Sequence, residues 1–278
     1  MKNQFYVFSA FVLLCSFSAS GQEKFNLAYK LDKGQDYRYR MENTYESVQE
    51  VMGNEMKMNG EVRMVTLYQV EETDKDGIMT CIIRQEESEV HSKGMGMDTT
   101  YKITDAIGKG FRVTISREGD VLKEEALDTS KVKGRALSLK LLGHVTFRKL
   151  PENPVGPGEK WTRNKVDTTS VGEDGQTITT SATDYQFEGL EVKNGHNCAK
   201  ISFKGTYEST GKMKQMGMDM YTEGSGETSG TFWVDLDKGI FITEESKTTQ
   251  DMTMAITGQQ QMTIPSTQTI TSKTILLE

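Results

Sequence analysis

Phe232-Trp-Val-Asp-Leu-Asp-Lys-Gly-Ile-Phe-Ile-Thr-Glu-Glu245 decides how this 278-residue chain folds, because the chain contains the stretch twice. The earlier copy is Phe111-Arg-Val-Thr-Ile-Ser-Arg-Glu-Gly-Asp-Val-Leu-Lys-Glu-Glu125. With one gap before the glycine, Phe111, Val113, Gly119, Glu124 and Glu125 fall on Phe232, Val234, Gly239, Glu244 and Glu245. Each copy reads as a β-hairpin. Apolar residues alternate on one face, a glycine supplies the positive-φ turn position, and a second apolar strand returns. The likeness continues upstream: Gly94-Met-Gly-Met-Asp98 matches Gln215-Met-Gly-Met-Asp219, Tyr68-Gln-Val-Glu71 matches Tyr185-Gln-Phe-Glu188, and Cys81 matches Cys198. An internal duplication of this kind sets an architecture and carries no chemistry of its own.

Outward from the hairpins, strict alternation dominates. Phe25 to Lys30 reads as a short strand. In Asp36 to Val51, Tyr37, Tyr39, Met41 and Tyr45 point one way, with Arg38, Arg40, Glu42 and Glu46 opposite. The next strand places Met56, Met58, Val62, Met64, Tyr68 and Val70 on one face, and Gly60 interrupts that stripe as a bulge or bend. About a dozen strands follow from the pattern, many longer than the usual ~5–6 residues, which favours a barrel or deeply curved half-barrel over a flat sandwich. The expected fold is all-β with one short helix: a curved antiparallel sheet or open barrel built from two homologous repeats. Repeat one covers about 30–125, a helical and proline-rich connector 126–161, repeat two about 157–245, and C-terminal strands 246–278. Within the connector, Asp128-Thr-Ser caps a run containing Val132, Ala136, Leu137, Leu139, Leu141 and Leu142 that stops at Gly143, the pattern of a helix packed near the concave face.

The first residues read as a secretory signal, 1–21, with Lys2, an apolar run from Phe5 to Phe17, and small residues in Ser18-Ala-Ser-Gly21. Cleavage after Ser20 or Gly21 leaves 22–278 as one β-rich domain, periplasmic or secreted. A lipid anchor on Cys15 is the weaker alternative, because bulky Leu14 precedes it. No second apolar run is present, so no integral membrane helix is expected after cleavage. The net charge of −7 and the absence of a basic run exclude nucleic acid as a partner. Export permits a Cys81–Cys198 disulfide, but two separate buried thiols are the favoured outcome.

Leu150-Pro151, Pro154-Val155, Gly158-Glu159 and Trp161, together with the Trp233 to Gly239 block, resemble a signature of uncharacterised secreted proteins of Gram-negative bacteria. More remotely, the arrangement resembles the Lol-type lipoprotein carriers, whose curved sheet wraps a hydrophobic cavity around a helix. The first resemblance implies an exported β-rich protein and the second implies an apolar cavity. Neither transfers a catalytic or binding residue.

Catalytic patterns are missing from the sequence. His91, His144 and His196 have no metal-ligand spacing, and there is no CxxC, GxSxG or phosphate loop. Asp235 and Asp237, two apart on a strand, read as a solvated pair opposite the Phe232/Val234/Leu236 stripe rather than as an acid–base pair. No enzyme, cofactor or metal is expected. The sixteen methionines are the unusual feature. Their i, i+2 spacing puts each cluster on one face, where thioethers fill a core, line an adaptable apolar cavity, or bind Cu(I). The candidate ligand-binding residues are Tyr37, Tyr39, Met56, Met58, Met64, Met95, Met97, Met216, Met218 and Met220, expected on one concave face. The function they suggest is an exported, non-enzymatic binding or carrier protein for an apolar, lipid-like ligand of the cell envelope. A structural protein contacting another envelope protein and a periplasmic Cu(I) binder are the alternatives.

Overall fold

Alternation sustained over so many residues produces strands of matching length. The computed structural model describes residues 23–94, 96–127, 147–171, 175–215, 218–257 and 261–277. Its strands are β1 Asp36–Val51, β2 Asn54–Thr73, β3 Met79–Gly94, β4 Met97–Lys102, β5 Gly110–Ile115, β6 Val121–Ala126, β7 Lys160–Val171, β8 Gly175–Lys193, β9 His196–Gln215, β10 Met218–Asp235, β11 Phe241–Thr257 and β12 Met262–Leu277. The longest reach roughly 60 Å. They form one antiparallel sheet in the order β6-β5-β3-β2-β1-β12-β11-β10-β9-β8-β7, with β4 on the upper part of β3. The sheet curves but does not close, because β6 and β7 are not paired with each other. Among the described residues the only helical element is a 3-10 turn at Thr104–Ala106. The connector helix expected over 128–143 lies outside the described residues, as does the signal segment 1–21.

The strands that carry the matched sequences run across the sheet in the same order, β6-β5-β3-β2 and β11-β10-β9-β8, with β1 and β12 joining the halves. The two copies of the opening stretch are the hairpins β5–β6 and β10–β11, turning at Gly119 (φ 91°) and Gly239 (φ 63°). Each glycine has a second reason to be there. A Cβ on Gly119 would sit 2.7 Å from the Arg148 carbonyl oxygen and 2.8 Å from the Tyr29 ring; one on Gly239 would sit 2.8 Å from the Ala28 carbonyl oxygen. The N-terminal segment laces the two hairpins together, as Tyr29 N–H donates to Arg117 C=O (2.8 Å) and Lys30 N–H to Gly239 C=O (2.8 Å). For that reason Phe25 to Lys30 is not the strand that its alternation suggests. Beyond one bridge, Phe25 to Val155, its main chain is spent on two different turns.

The core occupies the end of the sheet where these turns lie, here called the lower end. Tyr29, Tyr39, Tyr68, Phe187, Phe232, Phe241, Leu150, Ile201 and Ile242 are fully buried there. Phe147, from the stretch that follows the connector, packs edge-on against Tyr29 and Tyr68 with centroids 4.9 and 5.6 Å apart. The same stretch fills the gap between the open edges. Leu150 N–H bonds Glu118 C=O (2.8 Å), the Trp161 indole N–H bonds Lys149 C=O (2.9 Å), and Arg163 of β7 pairs with Asp120 beside β6 (2.7 Å).

Two expectations are corrected. Gly60 is not at a bulge. The ladders to β1 and β3 run through it unbroken, and β2's irregularities fall at Val65/Thr66 and Val70/Glu72. Asp235 is not solvated but 4% exposed. A register shift at Trp233/Val234 ends the regular alternation, and its carboxylate accepts from the N–H groups of Asp237 (2.8 Å) and Lys238 (2.7 Å) to tie the hairpin turn. Cys81 and Cys198 are free and buried. Cys81 is paired with Val70 and Val113, Cys198 with Glu191 and Asp235, and the unbroken alternation of β9 sets Cys198 on the face opposite Ile201 and Phe203.

Candidate functional site

Directly paired residues lie on the same side of a sheet, so the register alone sorts every side chain onto one of two faces. Phe232 marks the inner face. On β10 it is followed upward by Gly230, Thr228, Gly226, Gly224, Thr222 and Met220. Residues on this face are half-buried while their outer-face neighbours are exposed, as in Thr177, Thr179, Ser181 and Thr183 against Gln176, Ile178, Thr180 and Ala182. Three levels follow one another up this face.

The floor is aromatic and holds one ion pair. Arg148 donates from Nε and Nη2 to both carboxylate oxygens of Glu244, at 2.8 and 2.6 Å, and its guanidinium lies 4.3 Å over the Phe203 ring. Glu244 is 3% exposed at the side chain and Arg148 26%, so the guanidinium is the member open to the trough above. Burial alone would lower the Arg148 pKa; the charge and hydrogen bonds of Glu244 outweigh it and raise the pKa above the ordinary value.

The middle level is a polar belt built twice by one device. Tyr45 of β1 lies across Gly60 of β2, where a Cβ would come within 2.6 Å of its hydroxyl, and reaches Ser92 of β3 at 3.1 Å. Tyr207 of β9 lies across Gly226 of β10, where a Cβ would meet its ring at 2.6 Å, and donates to Gln250 of β11. Gln250 passes the chain to Gln268 of β12 at 2.6 Å. In each half a tyrosine is laid flat against a bare backbone, which keeps the trough open at that height.

The upper level is apolar. Met213 faces Met220, which faces Ile256, which faces Met262; Met254 faces Ile264. In the first half Met58 faces Gly94, which faces Met97. Of the residues picked from sequence, Tyr37, Tyr39, Met56, Met58, Met64, Met97, Met218 and Met220 share the inner face by register. They do not form one cluster. Tyr39 and Met64 are each 2% exposed in the floor, whereas Met97 is 59% exposed at the rim. Met95 and Met216 lie outside the described residues, and with Met216 goes the centre of the Cu(I) reading. Met213, Met262 and the tyrosine–glutamine belt were not picked, because membership depends on which strand lies beside which. Met252 and Met254 carried the i, i+2 signal in sequence.

Other reactive groups are committed elsewhere. Burial pushes the Cys81 thiol up to about 12 and, with help from Asp235, the Cys198 thiol to about 11. Burial by itself would raise the Asp235 carboxyl, but the Lys238 and Asp237 N–H groups and His196, whose Nδ1 lies 2.7 Å away, hold it below the usual carboxylate range. Among the described residues no group of three His, Cys, Asp or Glu side chains could hold a metal. The outer face carries polar grooves, one of about 670 Å³ lined by Lys204, Thr206, Glu208, Ser229, Lys247 and Asp251.

No known protein family and no curated protein matches this chain. Solved structures with some likeness include the channel OccK5 (OpdH) of Pseudomonas aeruginosa, at 5% identity and TM-score 0.26, covering 88% of this chain and 99% of that one. Another is the COG4313 outer membrane channel of Pseudomonas putida F1, at 9% identity and TM-score 0.23, covering 90% and 97%. Values this low carry no argument. Among the described residues no helix is long and apolar enough to cross a membrane, which says nothing of strands. The outer face does: Lys204, Glu208, Glu227, Lys247, Asp251 and Lys273 stand exposed where a membrane-spanning barrel needs an apolar band ~25 Å tall.

Proposed function

We propose that the chain is an exported, non-enzymatic binding or carrier protein for an elongated amphiphile of the cell envelope, held on the inner face. One observation carries this reading. The inner face above the floor stays half-exposed, and its chemistry changes in order from aromatic floor through hydroxyl and amide belt to thioether rim. An amphiphile whose polar group lies below its apolar chain meets both needs in the upper two levels, since the belt offers donors and acceptors to the polar group and the thioethers above it adapt to varied apolar shapes. Supporting the non-enzymatic part, the thiols of Cys81 and Cys198 are buried with raised pKa values, and Asp235, the one buried aspartate among the described residues, is spent on a turn. A periplasmic or secreted location rests on the signal-like first residues.

Native mass spectrometry of protein purified from its own envelope, followed by lipid extraction, tests the reading. A co-purifying amphiphile is expected, and it is expected to be lost on Met220→Glu with Met254→Glu while circular dichroism is unchanged. Protein that carries no bound molecule and takes up none from mixed phospholipid vesicles would leave the structural, envelope-interaction reading in front. The polar grooves of the outer face favour that second reading.

A further inference from the structure

The upper part of β7 is an open sheet edge whose sequence is complementary to itself. β7 pairs with β8 in an unbroken register from Lys160↔Gln186 to Val171↔Gly175, with no bulge and no proline. The parity of its hydrogen bonds is set at the lower end, where Phe187 N–H donates to Glu159 C=O (3.1 Å) and Gly158 N–H donates to Phe187 C=O (2.7 Å). Bonded and non-bonded pairs alternate in an antiparallel ladder, so the odd-numbered residues of β7 bond to β8. Asn164, Val166 and Thr168 then aim their N–H and C=O groups at the open side. No described strand pairs there. Among the described residues another part of the chain meets β7 on this side at its lower end, where the Trp161 indole bonds Lys149 C=O and Arg163 pairs with Asp120.

We propose that this edge pairs with the same edge of a second copy, antiparallel about a two-fold axis through Val166. Three features agree on that centre. Val166 would face its own copy in a hydrogen-bonded pair, and it is 67% exposed on the outer face. Asn164 and Thr168 would face each other in two further hydrogen-bonded pairs, giving about six main-chain bonds in all. Lys165 of each copy would face Asp167 of the other in the non-hydrogen-bonded pairs, where side chains approach most closely. Within one chain these two already pair at 2.7 Å and remain 43% and 49% exposed, so the two copies would bring four alternating charges together. A centre one residue away fails, because it sets Lys165 against Lys165 or Asp167 against Asp167. Charged residues on an edge strand ordinarily block pairing; spaced two apart with opposite signs, they select one register of one partner. The proposal does not depend on the function proposed above.

Sedimentation equilibrium on the mature protein tests it, at concentrations from ~10 μM to ~1 mM because so short a ladder buries less than a standard interface. A reversible dimer is expected. Val166→Pro removes only an N–H that points away from β8, so it is expected to keep the fold and abolish the dimer. Lys165→Asp and Asp167→Lys are each expected to weaken association at least tenfold. Mixing those two variants restores opposite charges at both contacts and is expected to restore association as a heterodimer. A protein that stays monomeric over the whole range overturns the proposal. So does association that survives Val166→Pro, and so does a pair of charge variants that mixing fails to rescue.

Discussion

The lower and upper ends of this sheet are made by the same strands and are held together differently. Along β9, Ile201 and Phe203 are 0% and 4% exposed, whereas Tyr207, Ser209 and Met213 further up are half-exposed. Among the described residues, no buried hydrophobic side chain of β8 to β12 lies above the level of Tyr185, Phe203, Phe232 and Ile242. The lower end is a layered core, with the sheet wrapped on the segments around Tyr29 and Phe147. Higher up, its stability comes from ladder hydrogen bonds, cross-strand pairs such as Thr248 with Thr228 (3.0 Å), and tyrosines lying on glycines. A strand can therefore serve as structure in one half of its length and as an open surface in the other.

The largest expected effect separates the two ends on a single strand. Phe232→Ala removes a fully buried ring that packs against Tyr185, Phe203 and Phe241, and is expected to cost about 3–5 kcal/mol in urea unfolding. Thr228→Ala, four residues up the same face, is expected to stay within about 1 kcal/mol of the native protein. Equal costs would break the comparison.

Next in size is the floor pair. Glu244→Gln leaves the Arg148 guanidinium over the Phe203 ring without its carboxylate partner and is expected to cost about 3 kcal/mol. Removal of Glu86, which pairs with Arg38 on the surface, is expected to leave the thermal midpoint unchanged. A harmless Glu244→Gln would mean that the floor is wetter than its burial indicates.

The smallest effect sharpens the upper end. Tyr207→Phe deletes the hydroxyl that begins the Gln250–Gln268 chain and is expected to cost about 1 kcal/mol. By hydrogen exchange the loss of protection should be confined to the upper parts of β9 to β12, with Ile201 and Phe232 amides still exchanging through global unfolding. Loss of protection throughout the sheet would show the two ends to be one cooperative unit.

Much of this architecture is written in local pattern. The duplicated hairpins, the long alternating strands, the turn glycines at 119 and 239, the shared face of Tyr37 and Tyr39 on one strand and that of Met56, Met58 and Met64 on the next all follow from a period of two and from a turn that needs positive φ. Each of these is decided by residues a few positions apart, so the chain determines them by itself. What tertiary structure decided was everything that depends on which strand lies beside which. Gly60 looks like a bend until Tyr45 is seen resting on it. Asp235 looks solvated until the turn's N–H groups and His196 close around it. Phe25 to Lys30 alternates like a strand, yet its main chain is claimed by turns some 90 and 210 residues away. The inner face divides into floor, belt and rim because register aligns Tyr207 with Gly226 and Gln250, and Met213 with Met220 and Ile256. Register is set by packing and hydrogen bonding between distant segments, and alternation within any one of them is silent about it.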